Sequence, residues 1–423
     1  MKSKIAKKFV LSALLLATSG VAMADDLFSL TVKANGASGK TTFATVQDLF
    51  DKFDNGGFQS VQSSYTSTSA VDATVNYRGL PISITAAANS TDIKLYIEAI
   101  GYTKTFTGPD RDANLKSLTD FFKKDGGNII SQLQKKLAAL SPVDPIAGNP
   151  SSLQSTMVSS DFDQAFTQFA TNIKTDTPVA SGNSAVAGTA GAASNSGLVA
   201  LGLRFGQYSQ QGLTSKSITL PLAYTFRGFE SGAQLSVNMP LTYGTVTSDK
   251  GTAQTAQGGL GVAYRVPVNN QWALTPAANV AISGSVDLGS VAAMRSFSLT
   301  SQYSFNYEGY DISLGNMVGL YSTLKMQTKD FSYDPGIENT IFRNGLMVSQ
   351  PVTLLGQQHL ALEVSFVNTQ FTGVELYNKW TNELGLTLGT SKSSTLPSYL
   401  RAGVTLLQGQ KTHGVSANVG YWF

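Results

Sequence analysis

Cysteine is absent from the 423 residues, and histidine occurs only as His359 and His413. The first absence excludes disulfides, thiolate nucleophiles and cysteine-bound metals. The second leaves little for imidazole chemistry, because the alternation described below puts the two histidines near opposite ends of one β structure, too far apart to cooperate. No Gly-x-Ser-x-Gly elbow, phosphate-binding glycine loop, His-x-x-x-His pair or calcium-type acidic loop is present. The sequence therefore points away from an enzyme and implies no metal and no cofactor. Charge is sparse, at 13% of residues with a dispersed net +3, which argues against a nucleic-acid partner. Beyond the start of the chain, no segment approaches the ~20 apolar residues that a spanning helix needs.

The start itself reads as an export signal. Lys2, Lys4, Lys7 and Lys8 precede a short apolar run from Phe9 to Ala17, and Ala22-Met23-Ala24 supplies small residues for cleavage at Ala22 and Ala24. A signal peptide over 1–24 is expected, with the mature chain beginning at Asp25.

Residues 25–175 read as a small α+β domain. Phe43, Val46, Leu49, Phe50 and Phe53 recur at helical spacing over 41–53, and Asp54-Asn55-Gly56-Gly57 stops them. Two β-favouring runs, Leu80 to Ile84 and Ile93 to Ile97, flank turn residues 89–92 and predict a hairpin. Leu115, Leu118, Phe121 and Phe122 suggest a helix broken at Gly126-Gly127, and Ile130, Leu133, Leu137 and Leu140 suggest the next. Pro142, Pro145 and Pro150 interrupt regular structure, and a weak helix over 161–173 would carry Phe162, Phe166, Phe169 and Ile173 on one face. Residues 176–196, almost all small and polar, read as a flexible linker.

Residues 197–423 behave differently. Twelve runs alternate apolar and polar residues, over 197–208, 216–227, 232–246, 257–267, 271–285, 292–307, 310–324, 339–353, 358–371, 377–391, 397–408 and 413–423. In a strand such alternation gives one greasy face and one polar face. Short links (228–231, 269–270, 308–309, 355–356) alternate with longer ones (209–215, 247–256, 325–338). Aromatics cluster near run ends: Tyr224, Phe226, Tyr264, Trp272, Tyr303, Phe305, Tyr307, Tyr310, Trp380, Tyr421 and Phe423. These features predict an all-β transmembrane barrel of about twelve antiparallel strands in a Gram-negative outer membrane, lipid outside and a polar lumen inside, with the short turns and both barrel ends in the periplasm.

The segment Gly414-Val415-Ser416-Ala417-Asn418-Val419-Gly420-Tyr421-Trp422-Phe423 resembles the last strand of autotransporter-type β-domains. In that family the terminal aromatic is read by the barrel-assembly machinery. The resemblance thus implies Tyr421, Trp422 and Phe423 as the membrane-insertion signal, and that machinery as a partner alongside outer-membrane lipids. Twelve strands after an N-terminal region also fit the family.

Alternation places Arg204, Arg265, Asp311, Glu363, Glu383 and Arg401 in the lumen. They could set a field for small polar solutes, brace the wall by pairing, or grip an occupant. Inward glycines, among them Gly206, Gly315 and Gly403, leave room for an occupant or an open channel. The leading expectation is a pore for small polar solutes, with the N-terminal domain retained in the periplasm as a plug or gate. Residues 25–175 carry no solenoid repeats, and 177–196 do not read as a pore-threading helix. The alternatives are an autotransporter-like translocator that exports 25–175, and a surface anchor or adhesin whose outer loops bind partners.

Overall fold

The computed structural model describes residues 26–167, 198–226, 229, 232–327, 332–354, 357–390 and 399–422. The expected signal peptide, with Ala22 and Ala24, the linker 176–196 and Phe423 lie outside the described residues.

The N-terminal domain is a sheet of six antiparallel strands covered on one face by helices. Its strands are β1 (Phe28–Ala34), β2 (Ala37–Phe43), β3 (Val71–Tyr77), β4 (Leu80–Ala86), β5 (Ile93–Ile97) and β6 (Tyr102–Phe106), in the order β2-β1-β3-β4-β5-β6. The β1–β2 turn, Asn35 (φ 51°) and Gly36 (φ 75°), and the β3–β4 turn, Arg78 (φ 53°) and Gly79 (φ 93°), have the paired positive φ that suits a two-residue hairpin. The expected hairpin across 89–92 joins β4 to β5. Residues 41–43, expected in a helix, end β2 instead. Helix α1 (Val46–Asp54) starts only after Thr45, whose side chain accepts from the Asp48 N–H at 3.1 Å. Helix α2 (Arg111–Asp120) is capped by Asp110, and α3 (Gly127–Leu140) follows the expected break. Leu49, Phe53, Leu115, Leu118, Leu133 and Leu137 of the helices meet Leu30, Val32, Val75, Ile82 and Ile84 of the sheet. Each such buried side chain contributes about 1.5–3 kcal/mol.

The second half closes into a barrel of twelve antiparallel strands, each paired with its sequence neighbour. They are β7 (Leu198–Gln210), β8 (Leu213–Phe226), β9 (Gln234–Ser248), β10 (Gly251–Pro267), β11 (Trp272–Ser285), β12 (Ser290–Tyr307), β13 (Tyr310–Leu324), β14 (Glu338–Leu354), β15 (Gln357–Gly373), β16 (Trp380–Thr390), β17 (Tyr399–Gly409) and β18 (His413–Trp422). β18 seals the ring against β7, from His413↔Ser209 to Trp422↔Ala200. All twelve expected runs are strands. Two expected long links are not loops: 209–215 and 247–256 continue the ladders and turn over Gln211-Gly212 and over 249–250. Their residues are polar on the outer face, so the alternating signal fades while the hydrogen bonds continue.

The barrel has two distinct mouths. The base carries the ladder ends at Leu198 and Trp422 and the tight turn Glu308-Gly309. The opposite mouth carries 211–212, 249–250, 286–289, 325–327, 334–337, 374–379 and 410–412, and there the N-terminal domain sits. Tyr77 donates to the Leu288 and Gly289 carbonyls at 3.3 Å, the Val46 amide donates to Asp287 O at 2.7 Å, and the Tyr377 amide donates to Ala138 O at 2.8 Å. Leu213, Val246, Ala253 and Leu288 of the barrel belong to the domain's own hydrophobic core. Arg78 and Asp144, fully buried and 3.2 Å apart, lock the sheet to the segment leaving α3. Burial pushes the Asp144 carboxyl above its usual range, while Arg78, the Ile146 and Ala147 amides and Gln134 pull it back.

Candidate functional site in the barrel lumen

Outward-facing side chains form an apolar belt. Ile218, Leu260, Val280, Phe297 (58% exposed), Leu320 (59%), Phe366, Leu386 and Val404 are all open to the surroundings. So continuous a belt is unlike the surface of a water-soluble protein. Exposed aromatics gather at the base: Tyr224, Phe226, Tyr264, Trp272, Tyr303, Tyr307, Tyr310 and Tyr421. Phe305 is half-buried, and Trp380 lies at the other mouth. Towards that mouth the exposed residues turn polar, with Lys216, Thr247, Thr252, Gln254, Arg295 and Gln370.

The lumen is occupied by the chain itself. Helix α4 (Leu153–Phe162), capped by Ser152, continues into a wide turn over Asp163–Thr167 and descends from the domain-bearing mouth. The weak helix expected over 161–173 thus begins earlier, at Leu153, and packs inside the barrel rather than in the N-terminal domain.

Polar contacts hold this segment around much of the wall. Gln257 of β10 donates to Ser151 O at 2.7 Å, and Gln154 donates to Asn339 Oδ1 of β14 at 2.9 Å. Asn238 of β9 donates to Ser160 Oγ at 2.9 Å. Asp161, 1% exposed, accepts from Tyr321 of β13 at 2.6 Å, from Ser296 of β12 at 3.2 Å and from Asn279 of β11. Asp163 pairs with Arg204 of β7. An interior carboxylate surrounded by donors is stable only while they stay in place, so these contacts fix the segment's depth and rotation.

Apolar contacts complete the seat. Met157, Val158, Phe162 and Phe166 pack against inward-facing Ala292, Met294, Met317, Ile341, Met347 and Val367. The Phe166 ring fits over Gly315 and Gly345, which are cross-strand partners on β13 and β14. A Cβ at Gly345 would lie 2.5 Å from Phe166 and 2.9 Å from Phe162. Arg343 stacks over the Phe162 ring at 5.1 Å.

The six charges expected in the lumen do not form one constriction. Arg204 grips Asp163 of the occupant. Glu363 and Arg401 pair with each other across the wall, both nearly buried. Glu383 receives two bonds from Arg343, at 2.8 and 3.2 Å. Arg265 bonds Gln302 at 3.1 Å, and Asp311 accepts from Asn306 at 3.0 Å near the base turn. Arg204, Glu363 and Glu383, joined by Asp163, Arg343 and Tyr208, line a cavity of about 100 Å³ beside α4, and a second of about 70 Å³ adjoins it. His413 is exposed at the start of β18, by the domain-bearing mouth, and His359 lies on β15 near the base.

Sequence reasoning missed Asp161, Asp163, Tyr321, Asn279 and Arg343. One signal was available. The eighth run alternates poorly because Ile341 and Met347 face inward while Phe342 and Leu346 face outward. Apolar residues on both faces of a barrel strand mark the side on which the lumen is filled.

No protein-family model and no curated protein sequence matches the chain. Among solved structures, the translocator domain of the autotransporter NalP from Neisseria meningitidis is similar at 12% identity and a TM-score of 0.39, over 54% of this chain and 88% of that one. The β domain of the Bordetella autotransporter BrkA gives 15% and 0.41, over 54% and 99%. An outer membrane channel from Pseudomonas putida F1 gives 14% and 0.36, over 55% and 96%. The closed ring and the apolar belt establish the barrel independently of these likenesses. The chain is a closed twelve-stranded β-barrel of the outer-membrane type, preceded by a small α+β domain.

Proposed function

We propose that the barrel is a translocator-like outer-membrane anchor that holds its N-terminal domain at the cell surface and is closed by its own threaded segment. One observation carries this reading: the N-terminal domain and the start of the first barrel strand, Leu198, stand at opposite mouths, and residues 150–166 between them lie in the lumen. A connection outside the wall would lay a Gly- and Ser-rich stretch across the apolar belt, leaving its backbone groups without partners in hydrocarbon. An even strand number places both barrel ends on one side, and short turns with those ends favour the periplasm for the base. The polar strand extensions then face outward. In this reading Tyr421, Trp422 and Phe423 serve recognition by the barrel-assembly machinery, and lipids cover the belt. Protease added to intact cells should cut within residues 26–141. Cleavage that requires a permeabilised outer membrane would refute the surface location and favour a domain retained in the periplasm.

The polar cavities beside α4 support a second reading, a pore for small polar solutes that α4 gates. It requires the segment to move, because α4 lies in the lumen and is bonded to the wall. Planar-bilayer conductance tests it: a channel that opens in the full chain supports it, and silence both with and without residues 150–166 refutes it.

A further inference from the structure

The N-terminal domain contains an apolar cavity of about 200 Å³ between its sheet and helices. Val46, Leu49 and Phe53 of α1, Leu118 of α2, Leu133 and Leu137 of α3, and Val75, Ile82 and Ile84 of the sheet form its walls. Among the described residues, the only polar side chains on the lining are Tyr77 and Gln134, at the end nearest the barrel turn that carries Gly289. Their polar groups are already engaged: Tyr77 donates to Leu288 and Gly289, and Gln134 accepts from Ser290 and Arg78 and donates to Asp144. No polar side chain is left to anchor water, and apolar cavities of ~150 Å³ stay dry and take up small hydrocarbons. Phe50, Phe122 and Ile130 of the lining are partly exposed and form the mouth. Beside it, the Lys123 ammonium stands 5.3 Å from the Phe50 ring and 3.0 Å from Asp54.

Protein interiors are otherwise close-packed. A void of this size, walled by aliphatic side chains and opening between aromatic rings, has the form of a ligand site. We propose that this cavity binds a single alkyl chain, with the chain's polar end left at the Phe50–Phe122 mouth. The chain could come from a free fatty acid or from the acyl tail of a membrane lipid.

Photo-crosslinking tests the proposal with full-length protein. In one arm, protein held in amphipol receives a fatty acid carrying a terminal diazirine. In the other, the protein sits in nanodiscs whose phospholipid bears the diazirine on an acyl chain. Peptide mass spectrometry should find label on 46–53 and 118–137. Label in the first arm alone identifies a free acid, and label in the second identifies a lipid tail. Ile84→Phe, which fills the cavity, should reduce that label at least tenfold while leaving label on the barrel belt unchanged. Absence of label on these helices in both arms of the parent protein would overturn the proposal. So would undiminished label in Ile84→Phe.

Discussion

Replacing Asp161 with alanine removes the acceptor shared by Tyr321, Ser296 and Asn279. Asn279 already donates to Ser296 Oγ at 3.4 Å, which gives the Ser296 hydroxyl proton no acceptor, so the loss falls on the Tyr321 and Ser296 hydroxyls and one Asn279 amide hydrogen. Three buried donors left without acceptors cost about 3–9 kcal/mol together, which lowers the seated-to-unseated ratio of α4 by roughly a hundredfold or more. The chain has no cysteine, so a single Val158→Cys, at a position 1% exposed, reports on seating alone. When reclosing outruns the reaction, the labelling rate by a small thiol reagent follows the opening equilibrium. Asp161→Ala should therefore accelerate labelling at Val158→Cys by that factor. Adding Tyr321→Phe removes the orphaned hydroxyl and should recover part of the effect, a non-additivity expected of residues in one network. An unchanged labelling rate in Asp161→Ala, or a full additional penalty from Tyr321→Phe, would refute the assignment of Asp161 as the pin of the occupant.

Gly345→Val should unseat the turn after α4 by colliding with Phe166, raising the same labelling rate at least tenfold; Phe166→Ala in that background should relieve the collision and show less acceleration than the two single changes combined. Arg401→Ala leaves Glu363 unpaired in the barrel wall and should cost about 3–5 kcal/mol, seen as a lower midpoint for loss of the SDS-resistant barrel band on heating. Asp144→Ala strands the buried Arg78 charge and should destabilise the N-terminal domain by a similar ~3–5 kcal/mol, read by its chemical unfolding, while the barrel band keeps its midpoint.

The barrel was legible because lipid imposes a two-residue period on every strand that it touches. Leu235 to Tyr243 and Phe297 to Tyr307 carry that period plainly, and both proved to be strands within a residue or two. Where strands project beyond the belt, as at Thr247 to Ala256, the period vanishes and the sequence suggests a loop in place of ladder. In the N-terminal domain, the Leu80–Ile84 and Ile93–Ile97 pair was evident from its turn residues. β1 and β2 were passed over, although Asn35-Gly36 between two alternating runs is a strong hairpin signal. The lumen was the least legible part. Alternation assigns Arg204, Glu363 and Glu383 to the lumen, yet their partners Asp163, Arg401 and Arg343 lie far away in sequence, and the segment bearing Asp161 and Asp163 reads as a weak helix of the preceding domain. Long-range pairing of that kind leaves no local pattern.

In the proposed topology the chain enters its own barrel, with the N-terminal domain outside the cell and the base in the periplasm. A membrane-impermeant maleimide applied to intact cells tests this directly with two single-cysteine variants, Lys94→Cys on the exposed face of β5 and Asn270→Cys in the base turn after β10. Labelling of Lys94→Cys in intact cells, and of Asn270→Cys only after permeabilisation, is the predicted result. The reverse pattern, with Asn270→Cys labelled from outside and Lys94→Cys protected, would contradict it.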